Sequence, residues 1–182
     1  MYKTAVWGIG DAGSMHENTN STDQTEGQPT PAEATAENLT TDPTAPVRFD
    51  TKVVVILRDD LQPWQELNVT AFLMSGIATS DEGLVGENYR DADGNDYLPM
   101  LRQPVMVMTA DADKVRSIRT KAMGRGLATA IYTEELFSTG HDAANRAAVA
   151  GVPAEELNLV GVALRGAKNG VDRVVKGARM HA

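Results

Sequence analysis

The chain has no cysteine among its 182 residues. Disulfide bonds, thiolate nucleophiles and Cys-ligated zinc sites are therefore excluded. Histidine is also scarce, because the sequence contains only three. Of these, His141 alone falls in a segment expected to fold and line a cleft, so a histidine metal site is not expected. We accordingly predict neither a bound metal nor a cofactor.

Long apolar runs are missing as well. No stretch approaches the roughly 18 apolar residues that a membrane-spanning helix needs. The apolar stretch at residues 5–9 is shorter than the core of a secretory signal, which has about 7–15 residues. These absences predict a protein with no membrane contact and a cytoplasmic location.

Charge divides the chain into two parts. Residues 1–51 contain eight acidic and two basic residues, and residues 52–182 contain 17 acidic and 15 basic ones, so the net charges are −6 and −2. Residues 14–46 are rich in Thr, Glu, Asn and Pro and have too few aliphatic side chains to offset the entropy cost of ordering. We predict a disordered acidic leader over residues 1–48 and a folded domain over residues 49–182.

Two motifs imitate known sites without their context. Gly8, Gly10 and Gly13 form a G-x-G-x-x-G pattern, but no amphipathic helix follows to receive a dinucleotide. Residues 91–96 alternate Asp and Asn as in a calcium loop, but the glycine and the closing glutamate are misplaced. We interpret the first as a chance match and the second as a polar turn.

Hydrophobic patterns in the folded part predict strands alternating with helices. The strands are expected at 52–58, 104–109, 128–132 and 159–164, the helices at 64–78, 111–123, 142–150 and 168–176, and a hairpin or long loop at 89–100. Such alternation predicts a mainly parallel sheet covered on both faces, with ligands beyond the carboxyl ends of its strands. We therefore expect the loops near residues 58, 133 and 165 to meet along one rim. The helix at 64–78 is apolar on most sides and should be largely buried.

Three polar residues after the third strand are candidate catalytic groups. Thr133, Glu134 and His141 supply a hydroxyl, a carboxylate and an imidazole, which could support acid–base chemistry. A structural interpretation also stays open. In it, Thr133 caps the turn at Glu134, and Asp142 caps the next helix.

The last strand and helix suggest an anion site. Residues 161–179 contain five basic residues and one acidic residue, and Arg165, Lys168 and Asn169 lie between a strand and a helix N-terminus. This geometry suits phosphate or carboxylate, although a solvated helix face is the alternative. Asn68 is the one polar side chain well inside the first helix, where it either orients a ligand or bonds a neighbouring loop. We predict that these four residues bind a small anionic ligand.

Three segments carry a resemblance to a known family. Residues 54–73 (V-V-I-L-R-D-D-L-Q-P-W-Q-E-L-N-V-T-A-F-L), 132–146 (Y-T-E-E-L-F-S-T-G-H-D-A-A-N-R) and 159–177 (L-V-G-V-A-L-R-G-A-K-N-G-V-D-R-V-V-K-G) resemble a bacterial domain-of-unknown-function family, numbered two thousand. That family looks related in fold to the type II peptidyl-tRNA hydrolases. The resemblance implies an α/β fold with three α/β/α layers, a mixed, mostly parallel four-stranded sheet, and often a homodimer.

The hydrolase activity does not carry over with the fold. The lysines that open the first helix of those hydrolases correspond to Gln65 and Leu67, and an expected aspartate falls near Thr133 and Glu134. A fold alone does not specify chemistry. Two functions stay open: a small-ligand-binding or regulatory module, and a hydrolase of peptidyl-tRNA or a related ester in which His141 or Glu134 positions water. We favour the first, because a tRNA-binding domain would normally be more basic.

Overall fold

The computed structural model describes residues 46–182, and most elements lie where the sequence predicts them. The leader up to residue 45, with its glycine motif, lies outside the described residues. The elements are β1 (Thr51–Arg58), α1 (Pro63–Ala78), β2 (Tyr89–Arg90), β3 (Asp96–Tyr97), β4 (Val105–Ala110), α2 (Ala112–Met123), β5 (Ala128–Thr133), a 3₁₀ segment (Glu134–Ser138), α3 (Asp142–Ala150), β6 (Leu159–Ala167), α4 (Lys168–Val175) and β7 (Arg179–Met180).

Local sequence signals explain these boundaries. The β-branched run of β1 is buried along its centre, as expected for a strand covered on both faces. Pro63 opens α1, where the amide that proline lacks is not needed. The Asp111 side chain caps α2 by accepting a hydrogen bond of 2.8 Å from the Lys114 amide. The β2–β3 hairpin turns at Gly94, whose φ of 89° favours glycine.

The main sheet differs from the prediction in strand number and direction. It has five strands in the order β5–β6–β1–β4–β7, because the short β7 adds to the edge. Only β1 and β4 are parallel neighbours, and the other three pairs are antiparallel. The prediction of a mostly parallel, four-stranded sheet is therefore wrong. The prediction assumes that every helix carries the chain across the sheet to a parallel strand. Helix α3 instead packs against the 3₁₀ segment, so the chain returns directly beside β5 as an antiparallel strand.

Strand direction separates two groups of predicted site residues. β1, β4 and β5 end at one end of the sheet, where Thr133 pairs with Leu159 at the start of β6. Because β6 runs the opposite way, Arg165 lies beside Val53 and Ala128, near the starts of β1 and β5. The segments near residues 58 and 133 thus share one end, and the segment near residue 165 lies at the other. The single rim expected from the sequence does not exist.

Helices cover both faces of the sheet. Val53, Val55 and Leu57 point toward α1, and the alternate residues of β1 point toward α2 and α4. The prediction that α1 is largely buried is wrong, because only Val69, Leu73 and Ile77 are buried. Its other sides expose large apolar groups: Trp64 is 60%, Leu67 75% and Phe72 53% exposed. No helix within residues 46–182 is long and apolar enough to cross a bilayer.

Candidate functional site

A groove lies between α1 and α3, with β5 along its floor. It consists of two adjoining hollows with volumes of about 540 and 450 Å³. The two hollows share six lining residues: Phe72, Ser75, Tyr132, Leu136, Asp142 and Asn145. We call this feature the α1–α3 groove. Its position follows from the fold, because β5 is an edge strand and residues of α3 line the hollow beside it.

Aromatic rings form one wall of the α1–α3 groove. Trp64 and Phe137 meet edge to face with ring centroids 5.5 Å apart, and Phe72 meets Tyr132 in the same way at 5.8 Å. Tyr132 and Phe137 connect these two pairs at 5.1 Å. Such contacts contribute stabilisation beyond the apolar area that they bury, so the wall is preorganised.

A hydrogen bond joins α1 to β5 inside the groove. The Tyr132 hydroxyl donates to Asn68 Oδ1 at 3.1 Å. Burial raises the pKa of Tyr132, so the phenol keeps its proton at neutral pH. The side-chain nitrogen of Asn68, Nδ2, has no hydrogen-bond partner among residues 46–182 and can donate to a ligand.

The first turn of α3 supplies the polar side of the groove. His141 caps α3, because its Nδ1 accepts from the Ala144 amide at 3.3 Å. The expected cap, Asp142, instead pairs with Arg146 one turn later. The Thr139 hydroxyl, which donates to the Leu136 carbonyl at 2.9 Å, also contacts Asn145 Oδ1, and this contact positions the Asn145 amide in the groove. Because Nδ1 of His141 is used by this cap, Nε2 is the ring nitrogen that the cap leaves free.

Thr133 and Glu134 do not line the groove. Thr133 is 1% exposed, and Glu134 Oε2 accepts from Arg58 Nη2 at 2.7 Å. Arg58 also donates to Asn158 and Asp60, at 3.0 and 2.6 Å. Burial lowers the pKa of Arg58, but the bonds to Asp60 and Glu134 raise it by more, and the guanidinium stays charged. Glu134 is therefore held in an ion-pair network, and only His141 of the three catalytic candidates lines the groove.

The other predicted ligand residues lie at the far end of the sheet. Arg165 Nη1 pairs with Asp81 Oδ2 at 3.1 Å, so its charge is matched within the fold. Lys168 and Asn169 are exposed in the first turn of α4. Asn68 is thus the only one of the four predicted binding residues that lines the α1–α3 groove.

A family model matches residues 51–182 of this chain, under the description "Protein of unknown function (DUF2000)". The chain belongs to the DUF2000 family. A solved structure of a protein of unknown function from Agrobacterium tumefaciens strain C58 is similar to it, with 49% sequence identity and a TM-score of 0.72. The match covers 74% of this chain and 100% of that one. No curated protein matches the chain.

Several groove residues of this DUF2000 member are not evident from the sequence. Trp64 and Phe72 belong to a helix that the sequence predicts to be largely buried, and no motif indicates Ser75 or Asn145. A signal was present, because Trp64, Asn68 and Phe72 are spaced four residues apart and so share one face of α1. An amide between two aromatic residues on one helix face indicates an amphipathic wall rather than a core.

The arrangement has the composition of a binding site. The groove offers aromatic contacts, the phenol oxygen of Tyr132 as an acceptor, two side-chain amides and the imidazole of His141. The carboxylates of Glu134 and Asp142 are both paired: Glu134 with Arg58, and Asp142, which lines the groove, with Arg146. No group of three or more metal-ligating side chains occurs in residues 46–182. These groups can orient and desolvate a ligand through stacking and hydrogen bonding.

Proposed function

We propose that this DUF2000 protein is a binding module that holds a small ligand in the α1–α3 groove. The observation that carries the proposal is the convergence of Asn68, Tyr132 and Asn145 on an aromatic wall. Ligand sites are typically apolar clefts of about 300–1,000 Å³ with a few placed polar groups, and the groove fits this description. A regulatory role is compatible with such a site.

The hydrolase alternative has no supporting observation in the site. An ester hydrolase needs a base that can activate water or a nucleophile. Glu134 is committed to Arg58, and Thr133 is buried. His141 uses Nδ1 to cap α3, so a second residue would have to take over the role of a positioned base.

A thermal-shift screen tests the proposed site. We expect a member of a library of phosphorylated, carboxylated and aromatic metabolites to raise the melting temperature, because a ligand that binds only the folded state stabilises it. Ser75→Trp should abolish the shift, since Ser75 is exposed and lines both hollows. Thr120→Trp, on the exposed side of α2, is the matched control and should keep it. A shift that survives Ser75→Trp would contradict the groove as the site.

The predicted anion site at α4 can be tested with the same screen. Lys168 and Asn169 are free to contact an anion, while Arg165 already pairs with Asp81. If α4 binds the ligand, the double variant Lys168→Ala/Asn169→Ala should remove the rise in melting temperature that an anionic compound causes. Ser75→Trp should leave that rise unchanged. The reverse pattern would assign the ligand to the α1–α3 groove.

Three further features remain proposals from the sequence. These are a fold relationship to the type II peptidyl-tRNA hydrolases, a cytoplasmic location and a homodimer. The exposed outer side of α1, with Leu67 at its centre, supports the homodimer. Light scattering of the full chain tests it: a dimer mass that Leu67→Glu reduces to the monomer mass is expected, and a monomer at all concentrations would contradict it.

A further inference from the structure

The two edges of the main sheet differ in how they are protected. β7 has two residues, one of which is Arg179, and so presents a short and charged edge. β5 has six residues, with no charge and no proline. Sheet edges are normally blunted by short strands, charges, proline or a covering element, because unpaired strand edges recruit other chains. β5 lacks the first three devices, and the α1–α3 groove leaves a gap where a cover would lie.

The outer backbone groups of β5 are free to pair. Within residues 46–182, the backbone of residues 128–132 forms hydrogen bonds only with β6. In an antiparallel pair, every second residue of an edge strand turns its N–H and C=O groups outward. Residues 130–132 of β5 line the α1–α3 groove, and most of the strand is half-buried, so its outward polar groups favour a hydrogen-bond partner over partial hydration.

We infer that the ligand of the α1–α3 groove is a peptide segment in extended conformation that pairs with β5 as an added strand. This inference rests on the proposed function, because it names the ligand class of the same groove. Main-chain hydrogen bonds to β5 supply affinity, and the walls of the groove select side chains.

The two walls specify the side chains of the peptide. Successive residues of a strand point to opposite faces. On one face the peptide meets Phe72 of α1, and on the other it meets Ile131 and Val149, which pack toward the core beneath α2 and α4. The charged residues at the rim, Asp142 and Arg146, neutralise each other. The preferred peptide is therefore uncharged at its centre and carries apolar residues on both faces.

A second copy of the chain fits this edge less well than a peptide does. Paired strands lie about 4.8 Å apart. The β5 strand of a second copy is flanked by its own α1 and α3, and each helix with its side chains is about 10 Å across. Two recessed edges therefore collide at their helices before their strands can pair, whereas a single extended segment has no such flanks.

Peptide selection followed by backbone methylation tests the inference. The full chain is used to select from a random heptapeptide library displayed on phage, and the most enriched peptide is synthesised. Two further forms carry N-methyl groups on either the odd or the even amides. If the peptide adds to β5, methylation of the amides that face β5 should weaken binding by at least about tenfold, and methylation of the other set should change it by less than about threefold.

Variants of the chain locate the peptide. Ser75→Trp should abolish binding of the unmethylated peptide, and Thr120→Trp should leave its affinity unchanged. Failure to enrich any peptide, or an equal loss from both methylated forms, would overturn the inference. So would a peptide that dissociates a dimer of the chain, because the β5 edge would then belong to a second copy.

The outcomes separate this inference from the proposed function. A metabolite whose thermal shift depends on Ser75, together with no enriched peptide, would keep the groove as a binding site and reject a peptide as its ligand. If neither a metabolite nor a peptide responds to Ser75→Trp, both proposals fail.

Discussion

At the scale of single residues, Tyr132 links the core to the groove. Its ring contacts Phe72 and Phe137, and its hydroxyl reaches Asn68 on α1. The residue is 4% exposed, so its hydroxyl depends on a protein partner rather than on bulk water. When a buried hydroxyl loses its hydrogen-bond partner, the free-energy cost of removing it from water is no longer compensated.

Replacing Asn68 should therefore destabilise the fold through Tyr132. We expect Asn68→Leu to lower the free energy of unfolding by about 1–3 kcal/mol, because the Tyr132 hydroxyl is left unpaired. Tyr132→Phe in the same chain should recover part of that loss. Urea denaturation of the two single variants and the double variant measures the coupling. Strictly additive effects would show that the hydrogen bond contributes nothing.

Gly161 sets the distance between α1 and the sheet. A Cβ at this position would lie 2.5 Å from Val69 Cγ1 and 3.0 Å from Leu73 Cδ1. Gly161→Ala should therefore cost about 1–3 kcal/mol by overpacking, as measured by urea denaturation. Gly140→Ala is the control, because a Cβ there meets no atom within 4 Å. Equal stability of the two variants would contradict the close packing of α1 on β6.

At the scale of elements, the β2–β3 hairpin shows an acidic residue whose hydrogen bonds all stay within its own turn. The Asp91 carboxylate accepts hydrogen bonds from the backbone and side chain of Asn95, from the Tyr97 hydroxyl and from the Asp93 amide. The bonds from Asn95, followed by the bond from Tyr97, lower the pKa of Asp91 to about 2. The alternating Asp and Asn residues that resemble a calcium loop in the sequence therefore form hydrogen bonds within the turn.

The hairpin should respond to acid in a defined window. The pKa of Asp91 is lower in the folded hairpin than the usual value of about 3.9, so its contribution to hairpin order is present above pH 4. That contribution should disappear as the pH falls from about 4 to 2. Amide chemical shifts of residues 91–97 measure it. Asp91→Asn should remove the part of this change that Asp91 causes and leave the titration of Asp96, whose pKa the Arg90 side chain also lowers. An unchanged transition in this variant would assign all of it to another group.

Helix α1 illustrates what an element-level pattern can and cannot predict. Its start at Pro63 and its length follow from the sequence, and its apolar residues on all sides correctly indicate contacts beyond one face. The pattern does not distinguish a face buried in the core from one that lines an open groove. That difference depends on α3, which lies some 70 residues later and leaves a gap beside Phe72.

At the scale of the whole molecule, local signals predict the elements and long-range packing decides their arrangement. The β-branched runs and the Asp111 cap specify strands and helices through interactions within a few residues. Strand direction is set by where each connecting helix packs, and neither the reversal of β6 nor the added β7 leaves a local signature. For this reason the expectation that Asn68 and His141 lie near each other agrees with the structure, whereas Arg165, which is expected beside them, lies at the other end of the sheet.

The proposed function requires that ligands enter the α1–α3 groove. A two-dimensional amide NMR screen of the full chain against a general fragment library tests this claim without knowledge of the natural ligand. We expect binding fragments to shift the amides of residues 72–76, 130–132 and 142–150 together, and Ser75→Trp to remove these shifts. Fragments that move the amides of Lys168 and Asn169 while the groove amides stay still would contradict it.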